Sequence, residues 1–164
     1  MTLIEVRLDT AARVRNDMAN DARLEKRWQS NAAAQRARFA AYKLNPEHTI
    51  SLHPHDGVIR ILWNGDVIAE SDHAIALHER KHDPVYYIPK EDVRTNLLVR
   101  TDHATHCPYK GDACYWSLVS EDKVAENAVW AYESPIVAMD EIAGLMAFYL
   151  DAMGKDFGLT IEIT

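Results

Sequence analysis

The sequence predicts a mainly β protein of the α+β class, in which a long N-terminal helical arm (residues 1–45) precedes a compact antiparallel β body (residues 46–164). Good helix formers run through the arm with neither Gly nor Pro. After Pro46, apolar and polar residues alternate in short runs, which is typical of half-buried strands. Asn64-Gly65 separates two such runs and suits a two-residue hairpin turn, because both turn positions need a positive φ.

The arm is expected to begin at an N-cap, Asp9 or Thr10, and to end at Asn45, because a residue before proline avoids the helical region. Its apolar stripe is sparse, and Asn-Asp pairs at positions 16–17 and 20–21 leave two shorter helices open as an alternative. The arm either packs on the β body or forms a homodimer contact.

The net charge changes sign at the boundary between the arm and the β body. Residues 1–45 carry a net charge of +4 and residues 46–164 carry −11. An acidic body would repel the phosphates of duplex nucleic acid or of an anionic membrane, so neither is expected as a main partner. The basic arm is expected to lie on acidic surface of its own or a neighbouring subunit, with nucleic acid as the alternative contact.

The chain is expected to be cytoplasmic and to fold as one domain. Residues 1–7 lack the apolar run of a signal peptide, and no stretch approaches the roughly 20 apolar residues of a membrane span. Cys107 and Cys114 are therefore expected to stay reduced. No CxxC pair is present, and we expect neither a structural zinc ion nor another cofactor.

Within the β body, residues 58–63 and 67–71 are expected to pair as the hairpin around Asn64-Gly65. Residues 89–93 are predicted to form one helical turn, and residues 102–114 a polar loop. Residues 139–150 are ambiguous between one amphipathic helix and an interrupted segment, because Gly144 disfavours the helix. Further strands are predicted at residues 74–78, 85–88, 97–101, 114–119, 128–132 and 159–163.

Four motifs follow one another along the β body, each occurring once: Pro84-Val-Tyr-Tyr-Ile-Pro89, Cys107-Pro-Tyr-Lys-Gly111, Trp130-Ala-Tyr132-Glu-Ser-Pro135 and Ala147-Phe-Tyr149. This series resembles the domain of unknown function 427 family over about residues 57–150. The resemblance implies a tent-like β fold, with a short helix ending near Gly144 and a strand at 147–149. The family is sometimes labelled nucleotidyltransferase-like, although the sequence has no Gly-rich phosphate loop.

The segment from Thr101 to Gly111 concentrates reactive groups. Cys107 is either a nucleophile activated by Lys110 or His106, or a small buried residue. Lys110 either holds an anionic ligand or acts as a proton donor, or it forms an ion pair within the acidic body. His103, His106, Cys107 and Cys114 carry zinc-ligating groups, but their spacing matches no zinc-finger pattern. His48, His53 and His55 lie in an expected polar loop, which is either a surface metal site or a turn.

Aromatic residues surround the same motifs. Neighbours on a strand point to opposite faces, so Tyr86 and Tyr87 are not both expected in the core, nor are Tyr115 and Trp116. Each pair supplies either one core ring and one exposed ring, or a ring to an aromatic pocket that suits stacking a planar heterocycle or holding a cation.

Three functions follow as hypotheses. The leading one is a β domain that binds a planar or anionic, nucleoside-like small molecule. The second is an enzyme, such as a nucleotidyltransferase, that uses Lys110 and Cys107. The third is an interaction module acting through the basic arm. The residues expected at the binding site are Tyr86, Tyr87, Thr101, Cys107, Tyr109, Lys110, Trp130 and Tyr132.

Overall fold

The computed structural model describes residues 47–164. The predicted helical arm, residues 1–45, lies outside the described residues. The described part is mainly β, as the sequence predicts, and its strands form three antiparallel sheets. None of its helices has both the length and the hydrophobicity that crossing a bilayer requires.

Ten strands and one α-helix make up the regular structure of residues 47–164, together with short 3-10 segments at Lys90–Asp92, Thr95–Leu97 and Val137–Ile142. The strands are β1 (Ile50–Pro54), β2 (Ile59–Trp63), β3 (Asp66–Ser71), β4 (Ile75–Glu79), β5 (Val85–Tyr87), β6 (Leu98–Cys107), β7 (Gly111–Val119), β8 (Val124–Ala131), β9 (Met146–Phe148) and β10 (Leu159–Ile163). The α-helix, α1, spans Ala152–Phe157.

The sheets have strand orders β1-β4-β5, β10-β2-β3 and β6-β7-β8-β9. The predicted hairpin is confirmed: β2 and β3 pair antiparallel up to Trp63 and Asp66. Asn64 has φ 51° and Gly65 has φ 92°, the positive values that this turn requires. Ile88 and Met146 exchange two backbone hydrogen bonds of 2.8 Å, which join the end of β5 to β9 and so link the first and third sheets.

The predicted polar loop at residues 102–114 is wrong. β6 continues to Cys107 and β7 begins at Gly111, so only residues 108–110 form the turn of a second hairpin. β6 lies at the edge of its sheet and is largely exposed, which is why its polar sequence resembles a loop although its backbone pairs with β7. The expected loop around His53 is also partly wrong, because His53 lies on strand β1.

The prediction that Tyr115 and Trp116 would not both be buried is wrong as well. Their exposed fractions are 5% and 7%. Strand β7 is internal to its sheet and carries apolar side chains on both faces, so Trp116 packs in one core cluster and Tyr115 in a second. On β5 the prediction holds in part: Tyr87 is fully buried, whereas Tyr86 is half-buried against the first cluster.

Residues 139–150 form an interrupted segment, as the resemblance implies. The 3-10 segment ends at Ile142, Gly144 adopts φ 71°, and β9 follows. Helix α1 was not predicted, although its signals are local. The Asp151 carboxylate accepts hydrogen bonds from the N–H groups of Met153 and Gly154, and Gly158 ends the helix in the left-handed conformation.

Candidate functional site

A cleft of about 410 Å³ opens beside strand β5. The turn between β4 and β5 forms one side, and the segment from β9 to the start of α1 forms the other. β8 and β10 each add one residue. The lining residues are His82, Asp83, Pro84, Val85, Tyr86, Trp130, Phe148, Tyr149, Leu150, Asp151 and Ile161.

Four Phe, Tyr or Trp residues are among those that line this cleft: Phe148, which is buried, and Tyr86, Trp130 and Tyr149, which are half-buried. The rings of Trp130 and Tyr149 lie 4.7 Å apart at 49°. Burial raises the pKa of Tyr149 to about 12, and the neighbouring Tyr115 and Asp151 act in the same direction. Tyr149 is therefore a neutral hydroxyl at physiological pH, able to donate a hydrogen bond.

Two exposed carboxylates, Asp83 and Asp151, lie at the rim of the cleft. Asp151 is held in place because it caps helix α1 with Oδ1. No Lys or Arg is among the described residues that line the cleft. The two carboxylates outnumber the one histidine, so the formal charge of the described lining is negative.

Trp130 belongs both to the cleft and to a buried aromatic cluster. It is half-buried and pairs in register with Tyr115 of β7 and Ala147 of β9. Its ring meets Tyr87 edge-on at 6.5 Å. Burial raises the pKa of Tyr87, and a hydrogen bond from Trp130 acts in the opposite direction. The position of the Trp130 ring is thus fixed from inside the core.

Lys110 is engaged by a carboxylate instead of facing the cleft. Its Nζ donates to Glu79 Oε2 at 2.6 Å, and the two side chains are only 11% and 16% exposed. The other carboxylate oxygen lies 2.8 Å from His48 Nε2. Burial opposes the charge of Glu79, but the hydrogen bond and charge of Lys110, together with nearby His48 and His82, outweigh it and lower its pKa.

The other residues of the segment Cys107-Pro-Tyr-Lys-Gly111 (the CPYKG turn) lie near this ion pair in sequence or in space. The Tyr109 ring stacks on His48 at 3.8 Å and 18°. Cys107 is free and half-buried against the second core cluster, which also contains Tyr132. Backbone hydrogen bonds join Lys110 to Cys107 and to Ile136, so the turn is tied to the segment after β8.

Of the eight predicted site residues, only Tyr86 and Trp130 line the cleft. Burial raises the pKa of Tyr132 well above its usual range, and this tyrosine lies with Tyr87 in the core. Thr101 is on β6, where its hydroxyl donates to Asn127 Oδ1 at 2.6 Å. Within residues 47–164, no group of three His, Cys, Asp or Glu side chains is arranged to hold a metal ion.

Sequence reasoning missed Tyr149, Asp83 and Asp151 as lining residues. Asp83 lies in the predicted turn before Pro84, and Tyr149 closes a motif that was assigned only a structural part. The signal that could have found them is their adjacency to strand ends, where loops held by a rigid sheet commonly carry binding groups.

The described residues form a small antiparallel β domain with an aromatic cleft that has two carboxylates at its rim. The family described as "Domain of unknown function (DUF427)" matches residues 51–157, and the chain belongs to this family. The match extends beyond the 57–150 range of the predicted resemblance at both ends. No curated protein matches the chain.

Proposed function

We propose that the β body binds a small planar molecule, of nucleoside size, in the cleft beside β5. The observation that carries this proposal is the convergence of Tyr86, Trp130 and Tyr149 on one cleft. Its volume of about 410 Å³ falls within the range of about 300–1,000 Å³ found for ligand pockets.

The aromatic wall supplies the affinity. A planar ring can stack on or lie edge-on to the exposed side of Trp130, and such aromatic pairs contribute about 0.5–1.5 kcal/mol beyond the area they bury. Because Trp130 is braced by Tyr87 and Tyr149, little side-chain entropy is lost when the ligand arrives.

The rim supplies the orientation. Asp83 and Asp151 accept hydrogen bonds from N–H or hydroxyl groups, as carboxylates do with ribose hydroxyls in dinucleotide-binding proteins. A nucleoside fits this arrangement better than a nucleotide, because a phosphate would meet two carboxylates and, among the described lining residues, no Lys or Arg.

One observation favours a second candidate, a phosphate-handling enzyme such as a nucleotidyltransferase. A shallower depression of about 170 Å³ lies on the first half of the β4–β5 turn and is lined by Glu47, His48, Arg80 and Lys81. Its cations suit an anion, and phosphoryl transfer relies on such groups for charge stabilisation. Arg80 and Lys81 would then serve as phosphate contacts in place of the paired Lys110.

Isothermal titration calorimetry with nucleosides and with the corresponding nucleotides tests the proposal on the full chain. Tyr86→Ala removes a ring from the cleft, and Tyr109→Ala removes a half-buried ring outside it, so the two form a matched pair. We expect nucleosides to bind and Tyr86→Ala to weaken them at least fivefold, with Tyr109→Ala unchanged. If only nucleotides bind, and Arg80→Ala abolishes the binding, the phosphate-handling function replaces this proposal.

A further inference from the structure

The negative charge of the residues that line the cleft favours planar molecules that carry a positive charge. We infer that its ligand is a cation, namely a planar nitrogen heterocycle with a positively charged ring nitrogen, instead of a neutral or anionic metabolite. This inference rests on the proposed function, because it assigns the chemical class of the molecule bound in the same cleft.

The aromatic residues provide the first reason. Tyr and Trp rings present a negative π face, and Trp binds cations most strongly of the aromatic side chains. Trp130 and two tyrosines line this cleft. A cationic heterocycle can use these rings in two ways: its planar ring stacks on them, and its positive charge is attracted by their negative π faces.

The rim carboxylates provide the second reason. Asp83 and Asp151 place two formal negative charges beside the aromatic wall. Tyr149 adds none, since burial and the proximity of Asp151 keep it protonated. A cation near these groups gains Coulomb energy that a neutral isostere lacks.

The surroundings provide the third reason. The sequence suggests Lys110 as a contact for an anionic ligand, but its ammonium forms an ion pair with the Glu79 carboxylate at 2.6 Å. Arg80 and Lys81 line the separate depression on the other part of the β4–β5 turn. Residues 46–164 carry a net charge of −11, so the long-range field also attracts cations. His82, which lines the cleft, can accept a hydrogen bond in its neutral form.

Two ligand pairs that differ mainly in charge test the inference by calorimetry on the full chain: nicotinamide against 1-methylnicotinamide, and adenosine against 1-methyladenosine. We expect the cation of each pair to bind at least tenfold more tightly at low salt, and the advantage to shrink at 0.5 M salt as screening grows.

Asp151→Asn removes the charge while keeping an N-cap, because asparagine caps helices about as well as aspartate. We expect it to reduce the preference for the cation at least threefold. Asp122→Asn, in the turn between β7 and β8, is the matched control and should leave the preference unchanged.

Equal affinities within each pair would overturn the assignment of charge and leave the proposed binding of planar molecules standing. Tighter binding of the neutral members would also overturn it. Failure of all four compounds and of the nucleoside panel to bind would overturn both the inference and the proposed function.

Discussion

The Lys110 Nζ lies 2.6 Å from Glu79 Oε2, and this contact joins the turn between β6 and β7 to the end of β4. Both side chains are largely withdrawn from solvent. Ions in such a position are desolvated, so each depends on its partner, and removing one leaves the other uncompensated. The pair is therefore a structural contact between two sheets.

Lys110→Met should destabilise the fold and leave ligand binding unchanged. A hydrogen bond to a charged group contributes about 1.5–3 kcal/mol, and we expect a loss of that size in the free energy of unfolding, measured by urea denaturation. The double variant Lys110→Met/Glu79→Gln should recover part of the loss, since no unpaired charge then remains. Loss of binding at unchanged stability would instead place Lys110 in a ligand site.

Stability should depend on pH through Glu79. Its pKa in the folded protein is lowered from the ordinary value of 4.5. The folded state therefore binds this proton less readily than the unfolded state does, and the resulting stability is complete above about pH 4.5. It is lost as the pH falls through the folded pKa. Urea denaturation between pH 3 and pH 6 should show this decline, and Glu79→Gln should flatten it; equal slopes in both proteins would contradict the assignment.

Elements with local signals were predictable from sequence. The Asn64-Gly65 turn fixes the β2–β3 hairpin through its own backbone preferences, without help from distant residues. The start of β6 agrees with the strand predicted at residues 97–101, but residues 102–107 could not be identified as strand from sequence. This part of β6 is exposed and polar, and its identity depends on pairing with β7. Likewise, Tyr115 and Trp116 are both buried because packing covers two faces of β7, which the sequence of β7 does not reveal.

The candidate site was predictable only in part, for the same reason. Tyr86 and Trp130 are two of the predicted site residues, and both line the cleft. Tyr149 and Asp151 reach the cleft because β9 is joined to Ile88 by long-range hydrogen bonds. The partner of Lys110 is likewise distant in sequence, so the choice between a ligand contact and an ion pair could not be made from the CPYKG motif alone.

Deleting residues 1–44 should leave a folded β body. The described residues alone already supply two clusters of buried hydrophobic side chains, which supports independent folding of this part. The charges of +4 on the arm and −11 on the body predict that the deletion lowers the melting temperature or changes the oligomeric state. Circular dichroism melting and light scattering of the two proteins measure both. If neither changes, the arm does not dock on the body.

Trp130 should affect both binding and stability, because its ring belongs to the cleft and to the buried cluster around Tyr87. Truncating a fully buried Trp to Ala costs about 3–5 kcal/mol, and a half-buried ring should fall at or below the low end of that range. Trp130→Ala should therefore lower the free energy of unfolding by about 2–3 kcal/mol and abolish binding.

Trp130→Phe separates these two effects. Phenylalanine keeps a ring against Tyr149 but loses the indole N–H that contacts the Tyr87 hydroxyl, and it is a weaker cation–π partner than tryptophan. We expect a smaller loss of stability than for Trp130→Ala, with binding of 1-methylnicotinamide weakened severalfold. Calorimetry and urea denaturation on the same samples measure both. If Trp130→Phe and Trp130→Ala were equally destabilised yet bound the cation like the unmodified chain, Trp130 would be a core residue with no part in the site.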